Sequence, residues 1–422
     1  MTSSVTHIDS EDLSNNKLRP GDRAFHDWYR FVLSYPPHLV RHYFEKFNLD
    51  HDAVVLDPFC GTGTTLVEAK KNGLVSVGIE AVPMSHFASS TKVQWRVNLS
   101  ELNSVVDRVL SRASDRLPSS PMLEFNAEQT TIILKNSICE QPLHHCLVLQ
   151  QAIAAEPPSA LRDLLNLALA YVTVHDASNL KFGPEVGIRR RRRETADVLA
   201  CWHRKVTVMA EDLTEYADLA DVPASCYRGD ARTLRSHLKP CSIDAVITSP
   251  PYPNEKDYTR TTRLESVLLG FLSNKQELRS FKQSLIRSNT RNVYKVDDDD
   301  RWLKSHSKIV QLAQDIEARR IELQKTSGFE RLYHRVTTLY FGGMKRHLQD
   351  LRPALKPGAQ LAYVVGDQAS FFQIMIRTGE LLAEIAAEVG YTVKETDLFR
   401  TRLATATGEQ LREEVVILEW PG

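Results

Sequence analysis

The sequence predicts an α/β fold built on a doubly wound, mostly parallel sheet, and three observations indicate it. Two short apolar runs end in an acid, Ala53–Asp57 and Val75–Glu80, and a glycine-rich turn and a helix separate them. Apolar runs and helices alternate again toward the C-terminus, after two stretches of different character. The last two runs, Thr392–Phe399 and Glu414–Trp420, follow each other directly, which predicts an antiparallel hairpin at the sheet edge.

The composition is that of an ordinary globular protein. Of the 422 residues, 42% are hydrophobic and 25% are charged, and no apolar run approaches the length of a membrane span. The N-terminus lacks a signal-peptide pattern and the six cysteines include no CxxC pair, so we expect a cytoplasmic protein with no membrane partner. The formal net charge of zero argues mildly against a nucleic-acid partner, although a local basic face is sufficient to bind phosphates.

The alternation of patterns divides the chain into segments. Residues 1–22 are polar and predict a flexible tail. A single α/β core is predicted from three segments, residues 23–95, 222–262 and 336–422. Residues 96–221 predict a largely helical insertion, and the polar residues 263–335 predict a second insertion, also largely helical.

The first motif is DPFCGTGTT, Asp57–Thr65, between a strand and a helix. Gly61 and Gly63 permit a tight turn and a close backbone approach to a ligand at the helix N-terminus. A phosphate-binding P-loop would need a lysine before the hydroxyl pair, and a dinucleotide fingerprint would need glycine at Leu66. A plain strand-to-helix turn remains the alternative for this motif.

Two further acids follow predicted strands. Ligands of such sheets bind at the carboxyl ends of the strands. Glu80 is therefore a candidate to accept hydrogen bonds from ribose hydroxyls, and Asp230 from an adenine amino group. Each acid alone is equally consistent with a solvated loop.

The second motif is TSPPY, Thr248–Tyr252, at the end of a strand. The two prolines fix the backbone and remove two donors, which leaves main-chain carbonyls aimed at one point. Ser249 adds a hydroxyl and Tyr252 adds a flat aromatic face. This set suits a planar base that carries an amino group, and a merely rigid loop is the alternative.

Together the two motifs closely resemble those of the amino-methyltransferases of DNA, which modify adenine-N6 or cytosine-N4. Ser34–Val40 is similar to the family motif that closes over the methionine end of the cofactor, and LKPGAQLAYVVGD is similar to the fifth-strand region. The resemblance covers the core and not the insertions. It implies a sheet of the S-adenosylmethionine-dependent methyltransferase type, with S-adenosyl-L-methionine as cofactor. It implies catalysis by Ser249, Pro250, Pro251 and Tyr252, and cofactor binding by Tyr35, Pro36, Asp57, Phe59, Gly61, Gly63, Glu80 and Asp230.

The serine of TSPPY carries the prediction of the target base. In the family, Ser-Pro-Pro-Tyr usually marks cytosine-N4 enzymes, whereas Asp or Asn at that position usually marks adenine-N6 enzymes. We therefore predict methylation of a flipped cytosine in double-stranded DNA. Adenine-N6 methylation, methylation of an RNA amino group and a non-catalytic DNA-binding subunit are the alternatives. A cytosine-C5 enzyme is disfavoured, because Pro240–Cys241 precedes the strand and TSPPY stands where the nucleophile would be.

The segment that reads DNA is not defined by the resemblance, because the motif order and the insertions fit no standard arrangement of the family. Residues 263–335 are the candidate recognition segment, and a cognate restriction nuclease is a candidate partner. The predicted DNA contacts are Arg189, Arg190 and Arg193 in the first insertion and Arg287 and Arg291 in the second. Asp297–Asp300 predicts a solvated loop, and no metal is expected because methyl transfer needs none.

Overall fold

The computed structural model describes residues 5–7, 15–30, 34–183, 185–254, 256–403 and 408–422. The strands of this part of the chain are β1 Val5–His7, β2 Val54–Asp57, β3 Val75–Glu80, β4 Leu180–Lys181, β5 Gly187–Ile188, β6 Ala224–Arg228, β7 Ile243–Thr248, β8 Leu355–Gly366, β9 Thr392–Leu403 and β10 Gln410–Glu419. The helices are α1 Pro37–Lys46, α2 Thr64–Lys71, α3 Pro83–Val93, α4 Leu99–Arg116, α5 Ala127–Ile132, α6 Glu140–Ala154, α7 Ala160–Val172, α8 Val198–Glu215, α9 Tyr258–Thr261, α10 Arg263–Leu268, α11 Lys275–Gln283, α12 Ser307–Glu322, α13 Tyr333–Leu351 and α14 Thr378–Glu388.

The main sheet has the strand order β6-β3-β2-β7-β8-β10-β9-β1. From β6 to β8 every neighbouring pair is parallel, and β10 runs antiparallel to both β8 and β9. The predicted fold class, a mostly parallel doubly wound sheet of the methyltransferase type with an antiparallel hairpin at one side, is confirmed. The short strand β1 adds a parallel partner to the outer edge of β9, which the sequence analysis did not predict.

The central strands explain where a site forms. β2 and β7 are largely apolar and buried, as expected for strands that are covered on both faces. They are neighbours, with Leu56 opposite Val246, although β3 and β6 separate them in the chain. The chain therefore turns to opposite sides of the sheet after these two strands, and their carboxyl ends open a crevice between them. The glycine-rich turn follows β2 and TSPPY follows β7, so both motifs lie at this crevice.

Each face of the sheet packs on its own apolar layer. On one face, Tyr43 and Phe44 of α1 pack with Val55 and Ile247. On the other face, helices α13 and α14 pack on β7 and β8 in a second cluster. Burial on both faces fixes the pleat of the strands, and it thereby fixes which residues follow their ends into the crevice.

The first insertion is helical as expected, and it shares a core with the sheet domain. Helices α4 to α8 pack with α2 and α3 in one continuous cluster that includes Leu66 and Met84 as well as Trp202 of α8. The Trp202 Nε1 donates to the carbonyl oxygen of Leu165 at 3.0 Å. A two-stranded ribbon of β4 and β5 interrupts the helices before the arginine run.

The N-terminal segment differs from the predicted flexible tail. Residues 1–4 and 8–14 lie outside the described residues. Val5–His7 forms β1, and Asp22 is buried and accepts a hydrogen bond from Arg41 Nη2 at 2.9 Å. The described part of residues 1–22 is thus attached to the domain at two points, because a sheet edge and a buried ion pair hold it.

The prediction of a solvated loop at Asp297–Asp300 is wrong for two of its four acids. Asp297 pairs with Arg287 at 2.7 Å, and Asp299 is only 4% exposed and pairs with Arg232 and Arg346. Buried arginines need counter-charges, and these aspartates supply them. Within the described ranges, no helix is both long and apolar enough to cross a membrane, and no group of three or more His, Cys, Asp or Glu is placed to hold a metal ion.

We expect Trp202→Ala to lower the free energy of unfolding by about 3–5 kcal/mol, since a fully buried indole in the shared core is replaced by a cavity. Chemical denaturation measures the change, and the neighbouring exposed His203→Ala is the matched control. Because the insertion and the sheet share this core, both should lose stability together. Loss of α8 in a separate, earlier transition would contradict a continuous core.

Candidate active site

A cavity of about 710 Å³ opens at the carboxyl edge of the parallel strands. Both motifs line it, together with the acids that follow β3 and β6. Its size is typical of small-molecule sites. The predicted site residues that line it are Tyr35, Phe59, Gly61, Glu80, Asp230, Ser249, Pro250, Pro251 and Tyr252.

The glycine-rich turn forms the floor of one end of this cavity. Gly61 and Gly63 have φ values of 52° and 84°, in the left-handed region that glycine tolerates best. A Cβ on Gly63 would lie 2.8 Å from Ser89 Oγ, so glycine is required there for α2 to approach α3. A Cβ on Gly61 would meet no atom within 4 Å, which leaves an open cradle where a ligand can contact the backbone.

Glu80 closes this end of the cavity at the end of β3. Its two carboxylate oxygens accept hydrogen bonds from the backbone N–H groups of Gly61 at 2.8 Å and Val82 at 2.7 Å. Burial raises the pKa of Glu80 to about 7 despite these two donors. Each oxygen retains a second acceptor position, so the carboxylate suits a ligand with a pair of hydroxyl groups.

Asp230 lines the neighbouring wall, and a buried arginine holds it. Arg232 donates to Asp230 from Nε and Nη2, and its Nη1 reaches Asp299. The arginine thereby links the turn after β6 to the second insertion. Arg232 was not predicted from the sequence, and its place two residues after Asp230 was the only signal that pointed to it.

Asp57 is fully buried and lies behind the cavity wall. It accepts hydrogen bonds from Thr248 Oγ1 at 2.5 Å, from Tyr35 Oη at 2.9 Å and from the Phe59 backbone N–H at 3.1 Å. Burial raises its pKa, and these three donors lower it. Asp57 therefore joins the two motifs directly, because Thr248 immediately precedes Ser249.

The TSPPY segment forms the other end of the cavity. The Ser249 hydroxyl donates its hydrogen to the carbonyl oxygen of Val364 on β8 at 3.1 Å. Its lone pairs therefore remain available as acceptors. The Tyr252 ring lies against Gly366, where a Cβ would come within 3.0 Å of Tyr252 Cε2. Glycine at the end of β8 thus makes the space that the tyrosine occupies.

Three predicted cofactor residues do not line the cavity. Asp57 is buried behind it, Gly63 caps the N-terminus of α2, and Pro36 precedes α1 in an extended conformation. These three residues support the backbone segments that carry the cavity-lining residues. The described structure also brings residues to the cavity that sequence reasoning missed, among them Asn254, Lys256, Tyr258, Arg400, Arg402 and Glu413.

The arginines predicted to contact DNA, two in the second insertion and three in the first, lie in different environments. Arg287 is 3% exposed and its guanidinium pairs with Asp297, so it supports the second insertion from inside rather than facing a ligand. The Arg291 guanidinium lies 5.7 Å from the centre of the Phe329 ring. Arg189 and Arg193 donate to carbonyl oxygens of Leu180 and His175, at the base of the ribbon. Arg190 is exposed, as are Arg191 and Arg192.

Comparisons with known proteins agree with the motifs. The sequence profile of the family described as DNA methylase matches residues 13–85. The chain is 23% identical over 447 aligned residues to the Type II methyltransferase M.BsoBI of Geobacillus stearothermophilus, covering 95% of this chain and 86% of the relative. It is 22% identical to the Type II methyltransferase M.AvaI of Anabaena variabilis, covering 90% and 81%. Among solved structures, TrmN from Thermus thermophilus matches with a TM-score of 0.33 and 11% identity, over 95% of this chain and 54% of that chain.

The motifs, the sheet order and the sequence relatives define the class of this protein. The fold and both motifs are those of an S-adenosylmethionine-dependent methyltransferase, and the resemblance of the chain to the amino-methyltransferases of DNA is confirmed. S-adenosyl-L-methionine is its cofactor. The residues fit this group, since the open cradle at Gly61 lies beside two carboxylates that can accept hydrogen bonds.

We expect Glu80→Gln to weaken S-adenosylmethionine binding about tenfold to a hundredfold, because the cavity loses a charged acceptor suited to a pair of hydroxyl groups. Hydroxyl donors favour the ionised form, so binding should lower the raised pKa of Glu80 and release a proton near pH 7. Affinity should then fall as the pH is lowered from about 8 to 6.

Calorimetry in buffers of different ionisation enthalpy measures both effects. The exposed Glu101→Gln is the control, and it should match the wild type. The proton release should be absent in Glu80→Gln. An affinity of Glu80→Gln within twofold of the wild type would remove Glu80 from the cofactor site.

Proposed function

We propose that the protein transfers the methyl group of S-adenosylmethionine to the exocyclic N4 of a cytosine in double-stranded DNA, and that the target base is flipped out of the helix into the cavity. One observation carries the proposal: Ser249 lies at the cavity with its hydroxyl hydrogen already donated to Val364. The two relatives are Type II methyltransferases, which supports a site-specific activity on DNA. A cognate restriction nuclease is part of the same proposal.

The role proposed for Ser249 follows from the chemistry of the amine. The lone pair of an exocyclic amine on cytosine is delocalised into the ring, which makes the nitrogen a weak nucleophile. A hydroxyl oxygen and the Pro250 carbonyl can accept its two hydrogens and favour a tetrahedral nitrogen. Since the Ser249 hydrogen is held by Val364, the oxygen presents only lone pairs to the amine. The fixed acceptors also stabilise the positive charge that develops on nitrogen.

Tyr252 and the prolines are proposed to position the base. The cofactor, when bound, supplies an electrophilic methyl group on sulfonium sulfur. Much of the rate enhancement then depends on alignment of the amine with that methyl group. The Tyr252 ring, held against Gly366, offers a stacking face worth roughly 1–3 kcal/mol, which offsets part of the cost of flipping. Transfer would leave a neutral thioether in place of the sulfonium, and the methylated nitrogen then loses one proton to solvent, so that a neutral methylamino group remains on the base.

The remaining predicted cofactor contacts belong to the same proposal. We assign Glu80 to the ribose and Asp230 to the adenine amino group, with Phe59 and Gly61 along the ligand between them. Tyr35 covers the methionine end, and its hydroxyl is anchored by Asp57. Pro36, Asp57 and Gly63 are proposed to act by holding these residues in place.

The product identifies the target base. Mass spectrometry of nucleosides from DNA methylated by the purified protein should detect N4-methylcytosine. Ser249→Ala should lower turnover about a hundredfold with a smaller effect on DNA binding, because its hydrogen bond matters most in the transition state. The exposed Ser236→Ala is the control. N6-methyladenine as sole product would overturn the choice of base, and 5-methylcytosine would overturn the mechanism as well.

The proposed DNA contact by the arginine run has its own test. Replacing Arg190, Arg191 and Arg192 together by Gln should reduce the slope of log affinity against log salt by up to about 0.9 for each phosphate that these arginines neutralise. Filter binding over a salt series measures the slope. Neutralising Arg96 and Arg116, exposed on the same insertion, should leave it unchanged. An unchanged slope in the triple variant would place the DNA-binding face elsewhere.

A further inference from the structure

Among the residues that the structure describes, one lysine at the cavity has a side-chain charge without a partner. Lys256 follows Tyr252 by four residues and lines the same cavity as Ser249. Its side chain is half-buried. Among the residues that the structure describes, none accepts a hydrogen bond or forms an ion pair with the Lys256 ammonium group. A half-buried ammonium group without a counter-charge costs free energy unless a ligand supplies one.

A second cation lines the same cavity as Lys256. Arg402, near the end of β9, lines the cavity, and its side chain is 41% exposed. Its Nη2 donates to the Asp367 carbonyl oxygen at 3.3 Å, and its Nε lies 3.5 Å from Glu413 Oε1. Burial lowers the pKa of Lys256, and the positive charge of Arg402 lowers it further. The two cations therefore repel each other across the mouth, and an anion between them would relieve that repulsion.

The acids near the mouth do not neutralise Lys256. Glu413 accepts a hydrogen bond from Arg400 Nε at 2.6 Å. Glu185, at the turn of the β4–β5 ribbon, is exposed and lies 3.7 Å from Arg260 Nη1. Both acids favour the charged form of Lys256 from a distance, and neither forms an ion pair with it. With respect to the described part of the chain, the ammonium group thus remains available to a ligand.

We propose that Lys256 and Arg402 form a clamp for a phosphodiester group that flanks the target nucleotide. This inference rests on the proposed function. A base that stacks on Tyr252 lies inside the cavity, and its sugar and phosphates must leave through the mouth. Lys256 belongs to the loop that follows TSPPY, Arg402 belongs to β9, and both line the cavity. A phosphate oxygen there would gain charge-assisted hydrogen bonds from both side chains.

With the clamp, the flipped nucleotide is bound by two sets of contacts that differ in chemistry. Ser249 and Tyr252 contact the base, whereas Lys256 and Arg402 contact the backbone. Phosphate contacts fix position and carry no sequence information. The clamp should therefore affect the KM for DNA and its dependence on salt, and it should leave the affinity for S-adenosylmethionine unchanged.

The test uses short duplexes that contain the site mapped by sequencing DNA methylated by the wild-type protein. Lys256→Met removes the charge and keeps the stem, and Lys256→Arg restores the charge. We expect Lys256→Met and Arg402→Gln each to raise the KM for DNA about tenfold and to lower the salt slope by about 1. Lys256→Arg should stay within threefold of the wild type. Lys239→Met is the matched control, since Lys239 is exposed before β7 at the opposite edge of the sheet.

A neutral methylphosphonate at each phosphate flanking the target nucleotide locates the contact. At one of these positions, the neutral linkage should raise the KM of the wild type for DNA about tenfold. The same linkage should raise the KM of Lys256→Met by less than twofold, because the lysine charge that would contact the phosphate is already absent. Calorimetry should give all variants the wild-type affinity for S-adenosylmethionine, and equal melting temperatures should show that they fold.

The clamp is overturned if Lys256→Met keeps the wild-type KM and salt slope, if it remains as sensitive to the neutral linkages as the wild type, or if it loses S-adenosylmethionine instead. In those cases the proposed function stands, because the wild type still methylates DNA. A wild-type protein that binds S-adenosylmethionine but methylates no DNA would overturn the proposed function, and the clamp with it.

Discussion

The buried carboxylate of Asp57 is the interaction on which the rest of the site depends. It accepts hydrogen bonds from Tyr35 before α1, from the backbone of Phe59 in the glycine-rich turn, and from Thr248 at the end of β7. These donors come from three segments that are far apart in the chain. Because burial disfavours a carboxylate without donors, displacing any one segment would leave the others with an unsatisfied charge or a protonated acid. The cofactor end and the TSPPY end are therefore fixed relative to each other.

The sheet supplies the second constraint. The hydroxyl of Ser249 is oriented by a carbonyl of β8, and the ring of Tyr252 occupies the space left by Gly366 at the end of that strand. Both contacts exist because β7 and β8 are parallel neighbours with fixed register. The loop that would hold the base is thus positioned by strand pairing more than by its own prolines. A small displacement of the backbone at the end of β8 would therefore move the side chains of Ser249 and Tyr252 directly.

Charge on this protein is local, which explains how a chain of zero net charge is compatible with a nucleic-acid substrate. Many of its cations are neutralised internally, as Arg232 and Arg287 are by Asp299 and Asp297. Arg190–Arg192, by contrast, are exposed beyond a ribbon whose turn reaches the cavity at Glu185. Arg190 lies at most about 18 Å along the chain from that turn, within the width of a DNA duplex. The net charge sums the internally paired cations and the exposed arginines, so it does not show that some of the arginines are exposed while Arg232 and Arg287 are neutralised internally.

The fold class, the succession of core strands along the chain and the two motifs were predictable from the sequence alone, because apolar periodicity and glycine and proline positions act locally. It also led to Glu80 and Asp230, since acids after parallel strands meet at one edge. The packed structure was needed to show that Asp57 lies behind the cavity wall, that Arg287 forms a buried ion pair with Asp297 and that the first insertion shares the core. It alone brought Lys256 and Arg402 to one mouth. Most of these facts depend on which distant segments pack together, as Asp57 and Thr248 do across 191 residues, and pairing at such a separation leaves no periodic signal in a single sequence. Arg287 and Asp297 are only 10 residues apart, but they lie outside a common helix or strand, so no regular spacing relates them.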